Sequence, residues 1–306
     1  MKISGINFSK IKKKYLGFIK KQEVLGDPFY NKLGQLNNFY MPICQSIFND
    51  YLKNNKTMVV GLSGGQGTGK TTIAEILKLI LKTRYNLNSI SFSIDDFYKT
   101  LKARKEMSKR IHELFLTRGV PGTHDINLVK TFFNSLKKKK FKKIKIPKFN
   151  KLTDDRFKKN YWHTIDEKPE IVLLEGWCVG AKAEPNSSLK RPINVLEKYE
   201  DPYLVWRNFV NEKLKKEYKK VFSMIDHYIY MKVPSFKMVF EWRLLQENKL
   251  KKRSTYKKET MSYNGIKRFI MFYQRITLQM LKDLSKSASI VMLLKKNHEV
   301  KKVLYK

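Results

Sequence analysis

The sequence predicts an α/β chain, a parallel sheet with helices on both faces, entered through a helical N-terminal extension. Three observations predict it. A glycine-rich turn, Gly64-Gly65-Gln66-Gly67-Thr68-Gly69-Lys70-Thr71, stands between an apolar β-prone run and a helical pattern. From residue 57 onward, strand-like and helix-like segments alternate, as they do when parallel strands are joined by helical crossovers. At 306 residues the chain is long enough to bury such a sheet on both faces.

Residues 1–56 read as helical and peripheral. Pro42 suits a first helical turn, and Ile43, Ile47 and Tyr51, with Cys44 and Phe48 beside them, form one apolar face. Lysines crowd residues 1–21, but no apolar core of a leader follows them, so no secretory signal is expected. Thr57–Leu62 is the short β-branched run of a buried parallel strand. After the glycine-rich turn, Ile73, Ile76, Leu77 and Ile80 recur at i, i+3, i+4, i+7 and predict a helix. Ser89–Ile94, Glu170–Leu174, His227–Val233 and Ser289–Leu294 read as further strands with helical pattern between them. The economical division is an extension over 1–56 and one nucleotide-binding domain over 57–306.

The turn is a complete G-x-x-x-x-G-K-[ST] phosphate-binding loop. Glycines permit positive φ and carry no Cβ, so successive N–H groups can point at one phosphate. The helix behind aims its positive end at the same anion. Gly64, Gly65, Gln66, Gly67, Thr68, Gly69, Lys70, Thr71 and Thr72 are therefore the expected nucleotide contacts. Lys70 should reach the β/γ-phosphates and the Thr71 hydroxyl should complete a Mg²⁺ shell, which makes ATP and Mg²⁺ the expected cofactors. Ile171–Leu174 is an apolar run ending in Glu175, the arrangement that holds Mg²⁺ or its waters near a γ-phosphate. Ser91–Ile94 ends in Asp95 and Asp96. One carboxylate there can accept a hydroxyl proton as an O–P bond forms, and the other can cap the helix that follows.

Net charge is +37, which taken alone points to nucleic acid or an anionic membrane. Arg, the bidentate phosphate and guanine reader, supplies only 11 of the 64 basic residues, and the lysines are spread over the whole chain. They read as solvated faces, so no specific nucleic acid partner is expected. The run Lys137–Lys145 is the best candidate for a polyanion patch and equally a surface turn between a helix and a strand. No stretch of 18 apolar residues occurs, so no membrane span or membrane partner is expected. Two distant cysteines, Cys44 and Cys178, make neither a disulfide framework nor a metal cluster and fit a reducing cytoplasm.

At the acidic strand ends the sequence resembles the D-glycerate 3-kinase family, related to the uridine kinase, phosphoribulokinase and pantothenate kinase group. The segments that carry the resemblance are GLSGGQGTGKTT (61–72), SIDDFYKT (93–100), TRGVPGTHD (117–125), IPKFNKLTDDR (146–156), LLEGWCVGA (173–181), RPINVLE (191–197) and FEWRLLQE (240–247). It implies a P-loop NTPase fold with a five-stranded, 2-3-1-4-5-like parallel sheet, Mg-ATP as donor and a small hydroxy acid as acceptor. Asp95 matches the aspartate that acts as base in the related kinases, with Lys70 as its catalytic companion on the phosphates. Asp96, Tyr98, Arg118, His124, Asp125 and Arg156 become candidate acceptor contacts, the arginines suiting a carboxylate. Arg118 could instead be paired structurally with a carboxylate such as Asp125. Asn150 stands where the family typically has Asp. Trp177 and Cys178 read as packing near the site. Arg243, ahead of the basic stretch Lys249–Lys258, resembles a kinase lid residue brought over the phosphates, or else belongs to a solvated basic turn.

Other small acceptors, such as a nucleoside, pantothenate or a sugar acid, remain open within the kinase class. A nucleic-acid-associated NTPase and a non-catalytic nucleotide-binding regulator are the rivals outside it, and the intact Lys70, Thr71, Asp95 and Glu175 argue against the second. Dispersed lysine charge should bind RNA or DNA only weakly, with a Kd of roughly 10⁻⁴–10⁻⁶ M at physiological salt and a steep salt dependence. A filter-binding titration at 150 mM salt checks this; nanomolar affinity would favour the nucleic-acid reading.

Overall fold

The computed structural model describes residues 6–23, 28–54, 56–138, 140–253 and 261–306. In chain order the principal elements are α1 (Ile6–Gln22), α2 (Met41–Asn54), β1 (Met58–Gly64), α3 (Lys70–Tyr85), β2 (Ser89–Ser93), α4 (Leu101–Arg110) and α5 (Ile126–Leu136). They continue with β3 (Ile171–Gly176), α6 (Val205–Lys213), β4 (His227–Lys232), α7 (Phe236–Arg253), α8 (Tyr263–Ser287), β5 (Ile290–Leu294) and β6 (Val300–Tyr305). Among the described residues no helix is long and apolar enough to cross a membrane.

Five parallel strands run in the order β2-β3-β1-β4-β5, which is the expected 2-3-1-4-5 arrangement. The expectation of five strands is corrected to six. β6 turns back antiparallel along β5, with Val300 opposite Leu294 and Tyr305 opposite Ile290. Its charged sequence hid it, and the reason is its place at the sheet edge. Lys301 and Lys302 project into solvent, where lysines also discourage pairing with another chain. Gln35, buried before α2, secures this strand by donating to and accepting from the Val300 backbone at 3.0 and 2.8 Å.

β1 and β3 are buried along their whole length, so both faces of these strands contribute to cores. On one face Val60, Leu62, Leu173 and Ile229 pack with Ile73 and Leu77 of α3, and with Ile11, Ile19, Ile43 and Ile47 of α1 and α2. Cys44 is fully buried there, a packed small hydrophobe whose thiol pKa burial pushes up. On the other face Val59, Val172 and Leu174 meet Phe132 of α5 and Tyr273 and Ile276 of α8. Pro42 stands in the first turn of α2, as expected. The chain is already helical from Lys32, and the widened turn Leu36–Tyr40 leads directly into α2.

Strand register positions the chemistry. Glu175 lies opposite Leu62 of β1 and opposite Ser93 of β2. The glycine-rich turn, the two aspartates and Glu175 therefore meet at one edge of the sheet, the carboxyl ends of the strands, where open α/β sheets bind ligands. Beyond β2, a hairpin pairing Phe149–Asn150 with Asp155–Arg156 folds over the same edge.

Candidate active site

A cleft of about 480 Å³ opens at that edge. Its floor is the glycine-rich turn. Gly67 and Gly69 have φ of 77° and 84°, and α3 begins at Lys70. Gln66, Gly67, Gly69, Lys70, Thr71 and Thr72 line the cleft, whereas Gly64, Gly65 and Thr68 are buried beneath it. Only glycine fits at 67, because a Cβ would come within 2.8 Å of the Trp242 side chain. The Lys70 ammonium donates to the Gly65 carbonyl at 2.9 Å. Burial depresses its pKa, opposed by the charges of Glu175 and Asp95.

The Thr71 hydroxyl donates to Glu175 Oε1 at 2.8 Å. Glu175 is 7% exposed, and burial raises its pKa while Lys70 and the Thr71 hydrogen bond oppose the rise. A hydroxyl–carboxylate pair of hard oxygen donors, Thr71 exposed to the cleft and Glu175 buried behind it, fits Mg²⁺, a cation that takes one or two protein ligands and completes its shell with phosphates and water.

Opposite stands Asp95. Its Oδ1 accepts the Tyr98 hydroxyl at 2.9 Å, and its Oδ2 lies 3.2 Å from the Lys151 ammonium. Burial works against its ionisation, but Lys151, His124 and the Tyr98 hydroxyl outweigh it and hold the carboxyl below its ordinary range. Asp96 turns inward. It accepts the Ser93 and Phe149 amides at 3.3 and 3.4 Å, closing the capping box of the short helical turn Ile94–Phe97, and burial raises its pKa.

The remaining acceptor candidates are arranged in depth. Tyr98 and Arg118 line the cleft, while His124, Asp125 and Arg156 do not. Arg118 is ion-paired to Asp154 rather than to Asp125, and its guanidinium lies over the Phe149 ring. Arg156 donates to the Tyr98 carbonyl at 3.1 and 2.6 Å and to Asp125 at 3.4 Å. Asp125 also caps α5 through the Leu128 amide. His124 is 1% exposed and its ring stacks on Tyr98 at 4.4 Å. The Gly122 amide donates to the Tyr218 hydroxyl, whose oxygen lies 2.6 Å from His124 Nδ1. This layer positions Tyr98, and through it Asp95. Asn150 accepts the Leu152 amide at 2.9 Å, a turn bond that Asp would also make, so the departure preserves the hairpin.

Trp177 packs edge-on against Tyr273, and its indole donates to the Gly119 carbonyl at 3.0 Å. Cys178 is fully buried, with its thiol pKa pushed up by burial. Glu197, from RPINVLE, is equally a scaffold residue, held by Arg207 and Arg275 at 3.3 and 2.6 Å. Arg243 faces the cleft from α7, paired with Glu247 at 2.7 Å. α7 runs on to Arg253, so the first part of Lys249–Lys258 is helix rather than a turn; residues 254–258 lie outside the described residues. The sequence reading missed Lys151, Trp242, Tyr273 and His298. His298 Nε2 meets the Gly67 carbonyl at 2.9 Å, and its ring stacks on Trp242 at 4.2 Å.

Residues 59–183 match the Phosphoribulokinase / Uridine kinase family. The Schizosaccharomyces pombe kinase mug58 is 32% identical over 206 residues, covering 65% of this chain and 73% of that one. The chain belongs to the phosphoribulokinase/uridine kinase family. It is a P-loop kinase of the glycerate 3-kinase-like kind. The chloroplastic D-glycerate 3-kinase of Arabidopsis thaliana is 29% identical over 230 residues, which cover 70% of this chain but only 48% of that enzyme's length. In fold, the chain is similar to D-glycerate 3-kinase from Cryptococcus neoformans, with a TM-score of 0.71 and 19% identity over 87% of this chain and 99% of that one.

Two histidines beside the cleft, His124 buried and His298 half-buried, give this kinase an acid sensitivity. Burial lowers both His124 and His298 to about 4, with Asp95 opposing the shift at the first and the Gly67 carbonyl at the second. The unfolded chain takes up their protons near pH 6.5, so their stabilisation is full above that pH and is lost as pH falls toward 4. Each should contribute a slope of about 1.4 kcal/mol per pH unit in that window. Urea unfolding at pH 6.5 and 5 measures the slope, and His124→Asn should remove one proton's share of it.

Proposed function

We propose that this kinase transfers the γ-phosphoryl group of ATP to an alcohol of a small hydroxy acid, and that the acceptor is D-glycerate, phosphorylated to 3-phosphoglycerate. The observation that carries the proposal is Asp95, a carboxylate held ionised between Tyr98 and Lys151 in the same cleft as Lys70, Thr71 and Glu175. The acceptor hydroxyl gives its proton to Asp95 as its oxygen bonds the γ-phosphorus, and the bond from that phosphorus to the ADP oxygen breaks. Lys70 and the N-terminus of α3 offset the charge on the transferring group. Mg²⁺, held by Thr71 and Glu175, would supply further charge neutralisation on the phosphates. Trp177, Tyr273 and Phe269 give the cleft apolar walls, and Arg243 projects into it from α7.

The acceptor identity rests on the resemblance of the motifs, on the identity to the Arabidopsis D-glycerate 3-kinase and on the basic character of the cleft. A coupled ADP-release assay against D-glycerate, glycerol, uridine and pantothenate tests it. D-glycerate should show the highest kcat/KM, and equal turnover of glycerol would remove the basis for the assignment.

Asp95→Asn keeps the shape and removes the proton acceptor, so kcat should fall by roughly 10²–10⁴ with ATP binding nearly unchanged. Asp96→Asn should lower stability and spare more of kcat, since Asp96 faces the Ser93 and Phe149 amides. A dead Asp96 variant beside an active Asp95 variant would reverse the two roles.

A further inference from the structure

Three arginines surround the hairpin at the acceptor end, Arg118 lining the cleft with Arg104 and Arg156 beneath it, and each has a scaffold partner. Arg104 is fully buried, donating to the Leu116 and Asp154 carbonyls and ion-paired to Asp154 at 2.9 Å. Arg118 shares Asp154, and Arg156 is fixed to Tyr98 and Asp125. Lys151 differs. Its side chain is 63% exposed, it lines the cleft, and its ion-pair partner is the base itself, Asp95.

The hairpin that presents Lys151 does not need this ion pair. The Phe149 amide is tied to Asp96, Asn150 to the Leu152 amide, Asp155 to the Leu101 amide, and Asp154 to two arginines. The ammonium is thus held at the mouth of the cleft by a scaffold that stands without it. Asp95 Oδ1 is engaged by Tyr98, which leaves Oδ2, the oxygen beside Lys151, as the site for the acceptor's hydroxyl proton.

Taking the glycerate reading above as its basis, we infer that Lys151 is the specificity-determining residue for the acceptor's carboxylate. It exchanges its bond to Asp95 for one to the incoming acid and so uncovers the base when an anionic acceptor is bound. A hydroxy acid with its carboxylate close to the reacting hydroxyl can reach Lys151 and Asp95 Oδ2 together. A neutral polyol supplies the hydroxyl but leaves the ammonium on the base. The exchange is one of ion pairs alone, and Lys151 remains protonated throughout.

The test compares wild type with Lys151→Met, which keeps the stem without the charge, and with Lys151→Arg. Both should fold, and thermal melts verify this, because the side chain is largely exposed. Removing a charge-assisted contact should raise the KM for D-glycerate by tenfold or more in Lys151→Met, with the KM for glycerol unchanged. The ratio of kcat/KM for the two acceptors should collapse by a similar factor, and Lys151→Arg should recover part of it. The acid limb of kcat/KM should also move to higher pH in Lys151→Met, since the free enzyme loses the cation that favours ionised Asp95. A wild type that prefers D-glycerate beside a Lys151→Met variant that keeps the preference would overturn this inference and leave the proposed function standing. A wild type with no preference would overturn both.

Discussion

The hydrogen bond from Thr71 to Glu175 joins the first turn of the helix behind the phosphate loop to the end of the central strand β3. The candidate site is assembled around that junction. β3 lies between β1 and β2, and its register sets Glu175 level with the root of the loop and with Ser93, which begins the aspartate turn. A slip of one residue would send the carboxylate to the opposite face of the sheet. The residue after it must be small as well. A Cβ at Gly176 would meet Ile94 at 2.6 Å and Val179 at 2.8 Å, so glycine is what lets the Asp95 turn pack close against β3.

A layer of rings and hydrogen bonds translates that backbone geometry into a fixed position for one carboxylate. Tyr98 is 3% exposed, stacked on His124, set edge-on to Phe149 and held through its carbonyl by Arg156. A neutral His124 suits this place, because an imidazolium stacked beside the base would have to be buried without a hydrogen-bond acceptor for Nε2. The TRGVPGTHD loop is locked onto the same layer. Gly119 has a φ of 140°, and a Cβ there would come within 2.2 Å of the Tyr273 hydroxyl. Residues that look like acceptor ligands by their chemistry thus act one step behind the surface, a division common where a site must be held within a fraction of an ångström.

The phosphate loop and the two acidic strand ends were legible because each is local in sequence, whereas the strand order came only through the family resemblance. A glycine pattern needs neighbours only a few residues away, and a buried strand announces itself by an unbroken apolar run. The two candidate arginines stand at different depths, Arg118 lining the cleft and Arg156 beneath it, for a physical reason. Arg118 and Arg156 have the fork that suits a carboxylate, but whether the fork meets substrate or protein depends on Asp154 and Asp125, whose positions follow from a hairpin and a helix cap. Lys151, one of 53 lysines, carried no mark of its own. His298 and Trp242 meet over Gly67 only because β6 returns along β5, and β6 itself was hidden by its edge lysines. Signals that depend on contacts between distant segments are invisible to periodicity; a glycine that tolerates no side chain, as at 67, is the nearest trace they leave.

Three carboxylates meet at the mouth of the cleft, and their surroundings drive them apart. Burial raises Glu175 and Asp96, the first tied to Thr71 and the second to two backbone amides. Asp95 is half-buried, and Lys151 and the Tyr98 hydroxyl help bring it below the ordinary aspartate range. Like charges so close cannot all ionise at no cost, and cations decide which ones do. Lys70 stands beside Glu175 and Asp95, and a bound divalent cation would add to the stabilisation of Glu175. Asp96 is tied to amides and has Lys151 only at longer range, which is outweighed by its burial. Of the three carboxylates lining the cleft, Asp95 alone has its pKa brought down, so the proposed base is set apart by its neighbours and not by its residue type. Pairs of titratable groups pushed in opposite directions are how one fold separates a structural acid from a working base.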